Sequence, residues 1–253
     1  MPELILYDIF SYSCMNCLRS LDFIKKIGNR YKKYGLKTII IHPPEWEFEK
    51  QSGNILNAVK NHNIKLPVII DKNYKIIKKL KVGFWPAQIL VRDGKIVYRH
   101  IGEGNYKVLE KTIARFLKIK PKDVFRSEPK YSKFPAIYCG KKKNGKIINS
   151  DDKLKFGAVC LGNGWVQKKE FIQSVENDAR LTIKTKGRIT NFVAESLTHD
   201  PIKILIEVND KSAKSLSIKD PQLYSLIKFN KNIENILNIT TGKNLAIYSF
   251  SFR

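Results

Sequence analysis

Ser13-Cys14-Met15-Asn16-Cys17 stands between an apolar run, Leu4-Ile5-Leu6-Tyr7-Asp8-Ile9-Phe10, and a stretch with helical spacing. This junction constrains the fold more than any other segment. Two cysteines separated by two residues can close a small disulfide ring. At the start of a helix, backbone N–H groups and the helix dipole favour a thiolate on the first sulfur. Only that ionised form attacks another disulfide. The helix is legible because Leu18, Leu21, Ile24, Lys25 and Ile27 recur at spacings of three and four, with Gly28 or Gly35 available to end it. Strand, CxxC, then helix is the order expected of a thiol–disulfide exchange site.

The 253 residues allow about two domains, and a 43% hydrophobic content is enough to fill real cores. No run approaches the ~18 apolar residues that span a bilayer. Met1-Pro2-Glu3 lacks a basic leader and Asp8 interrupts the first apolar stretch, so the sequence as written is expected to be cytoplasmic. The net charge of +24 divides into +13 over residues 1–120 and +11 over the remainder. A basic surface attracts nucleic acid, anionic membrane or acidic proteins. The simpler reading is a lysine-rich surface, because no nucleic-acid motif accompanies the charge. Lys141-Lys142-Lys143 with Lys146 is the densest cluster, and Asn144-Gly145 marks it as a turn tip.

Periodicity orders the first half as β-α-β-α-β-α-β-β-α, a mixed sheet covered by helices. Leu36–His42 reads as a buried strand ended by Pro43-Pro44, with a helix over Gly53–Asn61 and a strand over Leu66–Asp71. A short helix over Asn73–Leu80 precedes Val82–Val91, which enters a hairpin through Asp93-Gly94 to Lys95–His100. Tyr106–Leu117 closes the unit as an amphipathic helix. Residues 121–134 are expected to be a linker or a strap between domains 1–120 and 135–253. Beyond them come short alternating runs: Gly157–Leu161, Phe171–Val175, Ala179–Thr185, Ile189–Leu197, Pro201–Val208, Leu216–Ile218, Tyr224–Phe229, Asn232–Ile239 and Ala246–Phe252. This spacing predicts a β-sandwich or jelly roll. Its aromatics, Trp165, Phe171, Phe192, Tyr224, Phe229 and Phe250, serve either as core or as a ligand platform.

Asp8 lies six positions before Cys14 in the first strand. A carboxylate beneath the CxxC helix can take the proton of Cys17, and burial raises its pKa toward neutrality. The alternative is a strand-end carboxylate with one hydrogen bond. Pro86, after Trp85 and before a strand, is a candidate cis-proline presenting the Trp85 backbone to a bound peptide. His42 ends the second strand and is expected to be structural. Cys139 and Cys160 sit in strand-like runs, as buried small hydrophobes or as a structural disulfide. A single CxxC argues against a four-cysteine zinc site, so no metal and no cofactor is expected beyond a redox-active Cys14–Cys17 disulfide.

Asp8, Cys14–Cys17 and Pro86 match the proton acceptor, redox pair and cis-proline of the thioredoxin fold in order and spacing. The chain further resembles the TlpA/DipZ-type thioredoxin-like proteins. Ser11-Tyr12-Ser13-Cys14-Met15-Asn16-Cys17 is similar to their Thr-Tyr-Ser-Cys-Ile-Asn-Cys segment, and His42-Pro43-Pro44-Glu45-Trp46 to their His-Thr-Pro-Glu-Phe stretch. Phe84-Trp85-Pro86-Ala87, Asp93-Gly94-Lys95-Ile96 and Gly102-Glu103-Gly104 recur in the same order. Pro135–Gly140, Gly164-Trp165, Asp220–Tyr224 and Ala246–Phe250 resemble the DipZ C-terminal β-domain, a carbohydrate-binding-module-like jelly roll. The resemblance implies a thiol–disulfide oxidoreductase acting on protein disulfides or dithiols, re-reduced by a separate electron donor. It makes Cys14, Cys17, Asp8 and Pro86 the catalytic set and Trp85, Tyr12, Met15 and Asn16 substrate contacts. The β-domain would bind a glycan or a protein partner and modulate access. The rival expectation is a basic binding module, for nucleic acid or glycan, carrying a redox-sensitive or inert thioredoxin-like domain.

Overall fold

A computed structural model describes residues 3–124, 135–143, 145–149 and 154–253. The chain divides into two units, Met1–Lys130 and Tyr131–Arg253.

The first unit is built on β1 (Leu4–Ile9), whose alternating side chains feed two separate cores. The helix α1 (Met15–Tyr31) follows, then a 3-10 turn at Lys32–Tyr34 and β2 (Leu36–His42). A second 3-10 turn, Glu47–Lys50, leads to α2 (Ser52–Asn61), β3 (Val68–Ile70) and α3 (Lys75–Lys79). The hairpin β4 (Ala87–Arg92) and β5 (Lys95–Ile101) and the helix α4 (Tyr106–Phe116) complete it. The sheet order is β3-β2-β1-β4-β5, parallel from β3 to β1 and antiparallel through β4 and β5. Leu4 and Leu6 pack with Phe23, Ile24 and Ile27 of α1 and Leu109 and Ile113 of α4. Ile9, one pleat position out of phase, packs with Ile77, Ala87 and Ile89 in the opposite core. This is the thioredoxin fold: a mixed sheet with helices on it, and the CxxC carried where β1 hands over to α1.

Of the two glycines that sequence spacing offers as the stop of α1, Gly28 lies inside the helix and Gly35 lies beyond it with φ +100. Only Gly adopts that conformation without steric cost, so the chain turns there into β2. Both Asp93 and Gly94 have positive φ, as the tight β4–β5 turn requires. Past α4, Glu110 accepts hydrogen bonds from the Lys122 and Val124 N–H groups and from the Tyr31 hydroxyl. Residues 121–124 therefore belong to the first unit as a strap. The rest of the expected linker, 125–134, lies outside the described residues.

The second unit is all β among its described residues. Its strands are β6 (Ile137–Tyr138), β7 (Lys146–Asn149), β8 (Ala158–Leu161), β9 (Trp165–Gln167), β10 (Ile172–Ser174), β11 (Ala179–Ser196), β12 (Ile202–Val208), β13 (Lys211–Ile218), β14 (Gln222–Thr241) and β15 (Leu245–Phe252). They hydrogen-bond in the order β13-β12-β14-β11-β15-β10-β9, with β6 on β15 and the parallel pair β7–β8 on β11. Two pairs of expected strands are single long strands: Ala179–Thr185 with Ile189–Leu197, and Tyr224–Phe229 with Asn232–Ile239. The polar Gly187-Arg188 and Asn230-Lys231 steps read as turns, yet the β11–β14 ladder continues past them with register shifts at 187/189 and 190/191. Bulges bend a ladder without ending it. The bend lets Leu181 and Ile183 of the first half of β11 share one core with Phe192 and Ala194 of the second half. The sheet therefore folds back over itself, as a sandwich does.

Phe192 and Phe250 stack in that core, and Trp165 and Tyr224 pack against it. Phe171 packs on the Tyr248 ring, and Phe229 is half-buried. Cys139 and Cys160 form no disulfide among the described residues, the first buried and the second half-buried, so the small-hydrophobe alternative fits. Lys142 lies near Glu170 and Lys143 over the Tyr138 ring, which ties the lysine cluster to local partners.

Candidate active site

Helix α1 begins because Cys14 caps it. Cys14 is extended (φ −86, ψ 115), and its sulfur accepts the Cys17 N–H at 3.4 Å. The cap thus places one sulfur at the positive end of the helix, where anionic charge is favoured. Cys14 is half-exposed and Cys17 buried, and both are thiols. Burial first, and then the neighbouring Cys14 sulfur, push the Cys17 thiol well above its ordinary range. The two sulfurs of one motif therefore differ: an accessible one at a helix end and a shielded one that holds its proton.

Asp8 faces Gln88 directly across the β1–β4 pair, and the Gln88 side-chain amide donates to its Oδ1 at 3.0 Å. Both side chains are fully buried, and among the described residues Asp8 Oδ2 and Gln88 Oε1 have no hydrogen-bond partner. Burial lifts Asp8 to about 7, against a smaller opposing effect of the Gln88 hydrogen bond. Asp8 also contributes to the environment that raises Cys17. A carboxyl that exchanges its proton near neutrality is thus held close to the buried thiol.

The Trp85–Pro86 bond is cis, and the Trp85 carbonyl lies 3.9 Å from the Cys14 sulfur. Pro86 itself is buried, and its carbonyl accepts the Gly102 N–H at 2.7 Å. Phe84, next to this loop, is 76% exposed. Met15 is half-buried and Asn16 exposed, with the Asn16 Oδ1 accepting from Arg19. Arg19 in turn grips the buried Glu103 through Nε and Nη2.

Tyr12, expected among the substrate contacts, is not at the surface. It is 2% exposed, with its ring against His42 and Phe48. The loop before Cys14 turns inward because Tyr12 is apolar enough to fill the space beside His42. His42 Nε2 accepts the Tyr12 N–H at 3.3 Å, and burial drives the imidazole down to about 4. A neutral, enclosed His42 of this kind is structural, as its position at the end of an apolar strand implies.

Sequence spacing missed Glu49. This residue is fully buried, and its Oε1 accepts the Ser11 hydroxyl at 2.8 Å and the Ser13 N–H at 3.3 Å. Its Oε2 accepts the Glu45 N–H at 2.5 Å, while the Glu45 side chain accepts the Trp85 indole N–H at 3.0 Å. Burial and then the charge of Glu45 lift Glu49 to about 7. The signal was present in Glu45-x-Glu47-x-Glu49, two residues apart among aromatics, but its partners come from other elements. Gln88 was also missed. Its signal was a lone amide inside the apolar β4 run. Among the described residues, no group of three His, Cys, Asp or Glu side chains is placed to hold a metal ion, and no helix is long and apolar enough to cross a membrane.

The fold, the paired cysteines at the start of α1 and the cis-proline are those of a thioredoxin-like domain. Residues 141–252 match the family described as the thioredoxin like C-terminal domain. Protein DipZ of Mycobacterium tuberculosis is 25% identical over 278 aligned residues, covering 99% of this chain. The chain spans 39% of the length of that protein. Thiol-disulfide oxidoreductase ResA of Bacillus cereus is 34% identical over 98 residues, 38% of this chain and 54% of ResA. An exposed lipoprotein thioredoxin of Streptococcus pneumoniae superposes with a TM-score of 0.41 at 22% identity, covering 45% of this chain and 84% of its own. Across nearly its whole length the chain is similar to thioredoxin-like proteins of the TlpA/DipZ type.

Proposed function

We propose that this chain exchanges disulfides with protein substrates through Cys14 and Cys17. The observation that carries the reading is the contrast between the two sulfurs: Cys14 at the helix end and half-exposed, Cys17 buried and protonated beside Asp8. The Cys14 thiolate attacks one sulfur of a substrate disulfide, forming a mixed disulfide and releasing the other sulfur as a thiolate. Asp8 takes the Cys17 proton, directly or through one water, and the Cys17 sulfur then attacks the Cys14 sulfur. The second substrate sulfur leaves, the Cys14–Cys17 bond forms, and two electrons have passed to the substrate. A donor dithiol must then reduce the pair again. Run backwards, the same steps oxidise a substrate dithiol.

The substrate strand lies along the Trp85 carbonyl, with Phe84, Met15 and Asn16 as side-chain contacts. The second unit has its aromatics committed largely to packing, so its part is to select partners, glycan or protein, rather than to react. The test is reduction of insulin by dithiothreitol. The chain should accelerate it, and Cys14→Ser should return the rate to background with the fold intact. Unchanged acceleration in Cys14→Ser would remove the proposed role.

A further inference from the structure

Thiol–disulfide exchange needs two walls in register: the sulfur of Cys14, and the loop before Pro86 that holds the substrate strand. They belong to distant parts of the sequence, and their hydrogen-bonded connection runs through a third segment, residues 45–49. Glu49 accepts the Ser13 N–H, one residue before Cys14, and the Ser11 hydroxyl. Through its other oxygen it holds the Glu45 N–H, and Glu45 holds the indole N–H of Trp85, one residue before Pro86. An enclosed carboxylate is costly unless its oxygens are met by donors. These donors come from the Cys14 loop and from the segment that anchors Trp85.

We propose that Glu49 is a positioning residue that ties the Cys14 loop to the cis-proline loop, so that a peptide disulfide bound along one meets the sulfur carried by the other. The proposal rests on the exchange reading above. It predicts a loss that depends on substrate size. A protein disulfide must contact both walls at once, and misplacement of a reacting atom by a fraction of an ångström to an ångström costs rate steeply. A small aromatic disulfide is attacked by Cys14 alone and needs no alignment.

Glu49→Gln separates these cases. The amide oxygen keeps the Ser11 and Ser13 donors, while the amide NH2 group meets the Glu45 N–H as a donor facing a donor. Glu45→Ala removes the acceptor of the Trp85 indole N–H at the far end of the chain of bonds and leaves Trp85 itself in place. In the full-length protein, Glu49→Gln should lower kcat/KM for insulin about tenfold, and leave the reaction with dithiobis-nitrobenzoate within about twofold of wild type. Glu45→Ala should give the same selective loss. The double variant should be no worse than the poorer single one, as expected when both substitutions cut one connection. Equal losses with both disulfides, or losses that multiply in the double variant, would overturn the proposal and leave Glu49 a stabilising residue only. Should Glu49→Gln fail to fold, Glu45→Ala decides alone: a loss with insulin and none with the small disulfide supports the connection, and equal or absent losses overturn it. A wild-type chain inert toward both disulfides would reject the exchange reading itself.

Discussion

Among the described residues, the β unit buries one carboxylate, Glu195, in an interior otherwise made of Ile, Leu, Phe, Val and small polar side chains. The thioredoxin-fold unit buries five: Asp8, Glu49, Asp71, Glu103 and Glu110. All five accept hydrogen bonds, and for three of them the donors brace local structure. Asp71 accepts the Ile76 and Ile77 N–H groups at the start of α3, Glu103 is gripped by Arg19, and Glu110 holds Tyr31 and the 121–124 strap. Asp8 and Glu49 differ. Burial lifts both to about 7, and they stand behind Cys17 and behind the residue preceding Cys14. In the β unit burial also raises Glu195, but it is a single group among the described residues and the Tyr248 hydroxyl meets it. The presence of Asp8 and Glu49 around one pair of sulfurs marks where stability has been exchanged for reactivity.

That contrast can be broken from the β side first. Phe192→Ala removes a fully buried ring from the stacked pair with Phe250 and should cost about 3–5 kcal/mol of unfolding free energy. Urea unfolding should register the loss while exchange with a small disulfide stays within about twofold. A matching fall in exchange would show that the two interiors are not independent in function.

Asp8→Asn sharpens the other side. The folded-state value of Asp8, about 7, lies above its unfolded value of 3.8, so the folded chain holds an extra proton between them. Stability therefore falls as pH rises through that window. The asparagine variant should gain on wild type across it, reaching roughly 4 kcal/mol at pH 8 and little near pH 4. Its resolving step should slow. Glu49 titrates over the same range, so part of the wild-type slope should persist in the variant. A flat difference between pH 4 and pH 8 would mean that Asp8 is not enclosed as described. The smallest effect belongs to a donor-matched carboxylate. Asp71→Ala should cost about 1 kcal/mol with no change in exchange.

Cys14, Cys17, Asp8 and Pro86 were legible in the sequence because each leaves a local trace: a fixed spacing, a carboxylate in an apolar strand, a Trp-Pro before a strand. Glu49, Glu45, Ser11 and Gln88 were not. Their contacts depend on the register of β1 against β4 and on how residues 43–50 fold back toward the loop before α1, neither of which spacing encodes. Tyr12 shows the converse error, since proximity to Cys14 in sequence says nothing about which way a ring points. In the β unit, alternation located the strands but turn-forming residues overcounted them. Gly187 and Asn230 sit inside long bent strands whose neighbours supply the hydrogen bonds that a turn would otherwise make.

The most direct measurement is covalent capture by Cys17→Ser. With the buried sulfur gone, the bond formed by Cys14 on a substrate protein cannot be resolved, so incubation with an oxidised protein substrate should yield a mixed disulfide that dithiothreitol dissolves and that is absent when Cys14 is also replaced. Failure of the Cys17→Ser chain to form any such adduct, with Cys14 free and the fold intact, would contradict the division of labour between the two sulfurs.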